Sequence, residues 1–170
     1  MLLLRTACLI VLLLAASGAG WAQQAAAPDR PVAVAVAESE SVGPAQSMAL
    51  FDQLIAKPVK EALRTLPQAK KRYQAGLKAG EAFYLTTRVV DTDGKFEQVF
   101  VRVTQWEDAY IQGTIANELQ TVQGYTNGQI LEFTTNAVFD WTIVRANGSE
   151  EGNFVGKFLD IQSRLDALEE

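Results

Sequence analysis

The spacing of apolar residues changes twice along this chain, and each change restricts the folds open to it. From Met48 onward, Met48, Phe51, Leu54 and Ile55, then Val59, Ala62, Leu63 and Leu66, recur at steps of three and four, the repeat of a helix. After Gly80 the repeat shortens to two. Residues 82–90 set Phe83, Leu85 and Val89 against Tyr84, Thr86 and Arg88, and residues 96–104 set Val99, Val101 and Val103 against Phe100 and Arg102. The helical repeat returns at Phe154, Phe158, Ile161, Leu165 and Leu168. A chain that is helical at both ends and alternating between them belongs to the α+β class.

Within that class the punctuation is specific. Pro58 and Pro67 interrupt the first helical stretch, and proline is accepted in a first turn and refused in an interior, so N-terminal short helices in series are expected. Asp91-Thr92-Asp93-Gly94-Lys95 is a turn between two strands. Further strands are expected in 109–116, 129–135 and 140–146, and Asn147-Gly148 is a hairpin signal leading to a short sixth strand near 150–155. Five to six strands make an antiparallel sheet or small open barrel. The C-terminal amphipathic helix is expected to lay its stripe on the sheet or on the N-terminal helices, with docking of a partner as the alternative.

The N-terminus reads as an address. Arg5 precedes an apolar run over residues 7–16, and small residues Gly20 and Ala22 sit where a signal peptidase reads, so residues 1–22 form a cleavable secretory signal with cleavage before Gln23. A periplasmic or secreted location follows, without a transmembrane span after cleavage. Residues 23–46, rich in Ala, Pro, Ser and Glu, are expected to be a flexible leader, within which the alternation of Val32, Val34 and Val36 allows an edge strand at 32–36. Residues 47–170 then form a single α+β domain. Cys8, the one cysteine, leaves with the signal, so the mature fold rests on its core without disulfides. Arg5 leaves too, and 14 cations against 20 acids give a net charge of −6, which argues against nucleic acid as a partner.

Chemistry is narrowed by what the chain lacks. With no histidine, and no cysteine after cleavage, Ser-His-Asp and Cys-His sites are excluded and the commonest zinc and iron ligands are missing. No metal and no cofactor are expected, and no catalytic residue is assigned. Asp91-Thr92-Asp93-Gly94 lacks the later ligands of a calcium loop. Paired acids at Glu107-Asp108 and Glu150-Glu151, with Asp140, leave carboxylate chemistry open. The most uneven charge is in 57–78, where Lys57, Lys60, Arg64, Lys70, Lys71, Arg72 and Lys78 meet only Glu61. A solvated helical face accounts for such a run. The first six cations are also the candidate partner-binding residues, for an unknown protein or an anionic envelope component. Asp140-Trp141 reads as a corner of the fold, the indole in the core and the carboxylate capping the turn of 135–138.

Residues 56–160 resemble the YegJ-like bacterial family, a domain of unknown function also called DUF 2314. The resemblance rests on an ordered set: Leu63-Arg64-Thr65-Leu66-Pro67, Val99-Phe100-Val101-Arg102-Val103, Gly113-Thr114-Ile115-Ala116-Asn117, Gly128 before 130–133, and Phe139-Asp140-Trp141. It implies a compact α+β domain and no reaction. Asp140 and Trp141 match the family's most recognisable pair. Leu119 stands where members often carry proline.

Two functional readings remain. The first is an exported, non-enzymatic binding or interaction domain that docks a protein or cell-envelope partner by its basic helical face or a strand edge. The alternative is a periplasmic carboxylate-dependent hydrolase, or a small-molecule or glycan-binding protein, with a cleft near Asp140 and Trp141.

Overall fold

The computed structural model describes residues 43–169; the signal at 1–22, residues 23–42 of the expected leader and the edge strand at 32–36 lie outside the described residues, while 44–46, expected to end the leader, begin the first helix. Helix α1 (Pro44–Gln74) is followed by strands β1 (Ala82–Val90), β2 (Phe96–Glu107), β3 (Tyr110–Ile115), β4 (Ile130–Thr134), β5 (Asp140–Val144) and β6 (Glu150–Gly152), and then by helix α2 (Phe154–Glu169). The fold is α+β. The six strands form one open antiparallel sheet in the order β4-β3-β2-β1-β5-β6. β1 to β4 run as a meander; β5 then crosses to the free side of β1.

In place of short helices in series, α1 is one helix of 31 residues with Pro58 and Pro67 inside it. Each proline withdraws the N–H that would bond the carbonyl four residues earlier. Those carbonyls belong to Leu54 and Leu63, which are exposed, so water can take the freed oxygens. The loss is offset by the side of the helix that lies between these two flanking leucines, where Phe51, Ile55, Ala62, Leu66 and Ala69 are buried. Packing of an apolar stripe outweighs local propensity here, as it does in most protein helices. Past the C-terminus Gly76 takes φ +95°, and its N–H bonds the Tyr73 carbonyl.

The strand alternation sorts the core. Phe83, Leu85, Trp141 and Ile143 face Ala62, Leu66 and Ala69 of α1. Further along the same side, Val89, Val99, Val101 and Ile115 are covered by Leu119, Val122 and Tyr125 from the connection between β3 and β4. Leu119 therefore brings an apolar side chain to this cluster. Glu97 fixes the connection by accepting the N–H groups of Gln120 and Thr121 at 3.0 and 2.8 Å. A third cluster joins the helices: Phe51 and Ile55 of α1 pack with Val155 and Leu159 of α2.

Two details depart from simple alternation. The register of β2 against β3 shifts between Val103 and Gln105, a bulge that turns Trp106 to the same side as Val103. The stripe of α2 is covered over its first turns alone. Phe154 meets the edge of Trp141 at 6.0 Å between centroids, and Phe158 joins the helix-helix cluster. Ile161, Leu165 and Leu168, by contrast, are exposed by 58%, 51% and 83%. The deepest residues of α2 are Val155 and Leu159, about 120° around the helix from the stripe. The reason is its fixed N-terminus, described next.

Candidate functional site

Asp140 and Trp141 are neighbours on β5 and so point to opposite sides of the sheet. Trp141 is 6% exposed, and its indole N–H donates to the Ala62 carbonyl (3.2 Å) and to Thr65 Oγ1 (2.9 Å). The hydroxyl of Thr65 in turn donates to the carbonyls of Glu61 and Ala62. The indole thus binds the middle of α1 by packing and by a directed polar contact. Gly152, on the neighbouring β6, has φ +79°, and a Cβ there would lie 2.2 Å from the Trp141 carbonyl oxygen, so only glycine fits beside the ring.

Asp140 is 1% exposed. Its Oδ1 accepts the N–H of Trp141 at 2.7 Å and its Oδ2 the N–H of Val155 at 2.6 Å. Val155 is the second residue of α2, so the carboxylate does the work of an N-cap from another strand, and its partner is α2 rather than the turn of 135–138. Asn153, the residue before the helix, instead donates to Glu150 Oε2 at 2.6 Å. Burial pushes the Asp140 carboxyl up to about 7, against the pull of the Val155 and Trp141 N–H groups, the nearby Lys157 and the Phe154 N–H. With both oxygens engaged by backbone N–H groups and almost no exposure, this carboxyl is poorly placed to reach a substrate.

The six candidate partner-binding cations divide into two kinds. Lys70 lies over the Trp106 ring at 4.8 Å and donates to the Asp108 carbonyl at 2.7 Å, closing α1 onto the β2–β3 hairpin. Arg72 bonds Glu81 at 2.8 Å and Glu151 at 2.6 Å, tying the end of α1 to the start of β1 and to β6. The Glu151 partnership holds the Arg72 guanidinium above its ordinary range. Lys57, Lys60, Arg64 and Lys71 are exposed. At about 100° per residue these four fall within about 60° of one another, roughly opposite the buried stripe of Phe51, Ile55, Ala62 and Leu66. Only Arg64 among them has an ion-pair partner within the described residues, the exposed Glu61 at 2.9 Å.

Sequence reading missed Arg88. It appears in the alternation as an outward residue, yet its side chain is 10% exposed, pairs with Asp52 of α1, and lies 4.9 and 4.8 Å from the ring centroids of Phe96 and Phe139. The signal was an arginine in a strand whose neighbours in space are aromatic, and the sequence does not state that neighbourhood.

Two outcomes follow. Lys70→Gln and Arg72→Gln should each lower unfolding free energy, Arg72→Gln by about 1–3 kcal/mol because it strands the buried Glu81 carboxylate, whereas Lys57→Gln, Lys60→Gln and Lys71→Gln should each change it by less than about 0.5 kcal/mol in urea titrations. Because the folded value of Asp140 is raised above its unfolded one of about 4, its contribution to stability is fully present below pH 4 and is lost as pH rises through about 7. Carboxyl-carbon NMR should show Asp140 titrating near neutrality, and Asp140→Asn should flatten the stability profile between those limits.

No curated protein and no solved structure matches the chain. Residues 53–163 match the family described as "Uncharacterized protein conserved in bacteria (DUF2314)". The match spans α1 from its third turn, the whole sheet and the first half of α2, including the Asp140 corner and all six candidate cations, and its description does not carry the YegJ-like label. By its sequence over this span, the chain belongs to the bacterial DUF2314 family.

Proposed function

We propose that the chain is an exported, non-enzymatic domain that docks a protein or cell-envelope partner through the outward side of α1. The observation that carries this reading is the set Lys57, Lys60, Arg64 and Lys71, which do no packing work in the fold yet concentrate positive charge in a protein of net charge −5. Such a local field raises the encounter rate with an anionic partner and orients it. Export rests on residues 1–22, whose charge, apolar run and small-residue end have the form of a secretory signal, and it implies a periplasmic or secreted location.

Carboxylate catalysis beside Asp140 and Trp141 is the weaker reading. A hydrolytic pair needs one carboxyl to hold or deliver a proton to a substrate and a second to act with it. Asp140 is sealed behind Val155 and Trp141, and its hydrogen-bond partners are backbone N–H groups.

A photo-crosslinking residue placed at Gln68, on the outward side of α1, tests the proposal in intact cells. The expected result is crosslinking to an envelope component, protein or lipid, lost when Lys57, Lys60 and Lys71 are all changed to Gln, with the recovered chain beginning at Gln23. Crosslinking that survives the triple substitution, or a chain recovered from the cytoplasm with Met1 in place, would contradict it.

A further inference from the structure

The outward side of α1 carries more than cations. Leu50 and Leu54 are exposed by 46% and 38%, and helical geometry places them on the Lys57 side of the row formed by Lys57, Lys60, Arg64 and Lys71. Leu50 and Leu54 are one turn apart, with Lys57 on the next turn. The helix contains two acids, Asp52 and Glu61. Both are already paired, Asp52 with Arg88 and Glu61 with Arg64, so little negative charge opposes the cations.

Resting on the reading of α1 as a docking face, we propose that its partner is an anionic lipid surface, on which α1 lies lengthwise. Charge complementarity accounts for the cations, and the leucines decide among anionic partners. A soluble polyanion neutralises lysines but offers leucines nothing. The boundary between headgroups and acyl chains takes both, ion-pairing the ammonium and guanidinium groups and burying the apolar side chains. The geometry suits a plane: α1 is about 46 Å long, and its outward cations extend over about 21 Å along one side. No helix among the described residues is long and apolar enough to cross a membrane, so this attachment is to the surface.

Flotation of the protein, purified in the form that cells release, tests this with vesicles of phosphatidylcholine alone and vesicles containing about one-third phosphatidylglycerol. Binding is expected to the anionic vesicles and not to the neutral ones, and it should weaken as salt rises to physiological strength. Changing Lys57, Lys60, Arg64 and Lys71 together to Gln should weaken it at least about a hundredfold, the order expected from four cations at a charged surface. Leu50→Ser and Leu54→Ser together should weaken it about tenfold or more while circular dichroism reports an unchanged fold. Failure of the wild-type protein to float with anionic vesicles overturns the proposal, and so does a leucine variant that floats as the wild type does, since that marks the face as a reader of soluble or protein-borne anions. Where vesicles fail but the cation substitutions still abolish crosslinking of a protein, the docking reading stands and the lipid assignment falls.

Discussion

Both helices of this fold are attached to the sheet through two adjacent residues of β5. Trp141 sends its indole into α1 at Ala62 and Thr65, and Asp140 sends its carboxylate onto the first turn of α2. A charge taken out of water is expensive, and two short N–H bonds and a helix N-terminus offset part of that cost, the remainder appearing as the raised Asp140 carboxyl. The capping bond also sets the rotation of α2. It presents Val155 and Leu159 to Phe51 and Ile55, and leaves the stripe that ends in Ile161, Leu165 and Leu168 facing outward. Gly152 belongs to the same arrangement, since any side chain there would collide with Trp141.

Much of this was legible in the sequence. The period-two segments became β1 to β5 with little change at their ends, because alternation is a local property that the sheet's two sides simply read out. The α+β class and the hairpin signals at Asp91-Thr92-Asp93-Gly94 and Asn147-Gly148 are of the same local kind. What could not be read were consequences of long-range packing. The continuity of α1 through Pro58 and Pro67 depends on a buried stripe supplied by β1, β5 and α2. The partner of Asp140 is fifteen residues away along the chain. Trp106 joins the core because of a bulge, which depends on pairing with β3.

The cations show the same division. In sequence, Lys57 to Arg72 is one basic run. In the fold, Lys70 and Arg72 are spent on the Trp106 ring, the Asp108 carbonyl, Glu81 and Glu151, where each links α1 to a different part of the sheet. Lys57, Lys60, Arg64 and Lys71 lie on the far side of the helix from its core contacts. A helix of 31 residues has room for an inner side that holds the domain together and an outer side free for recognition. The prolines do not break it, because the inner side is so well packed.

The central claim is that Asp140 and Trp141 make α1, β5 and the start of α2 one cooperative unit. Native-state hydrogen exchange tests it residue by residue. The account predicts that the amides of Trp141 and Val155, and those of Leu66, Gln68 and Ala69 in α1, exchange only through global unfolding and share one protection free energy, while the amides of Leu165 and Leu168 exchange far faster. A Val155 amide that exchanges with the exposed end of α2, well below the global value, would contradict the claim.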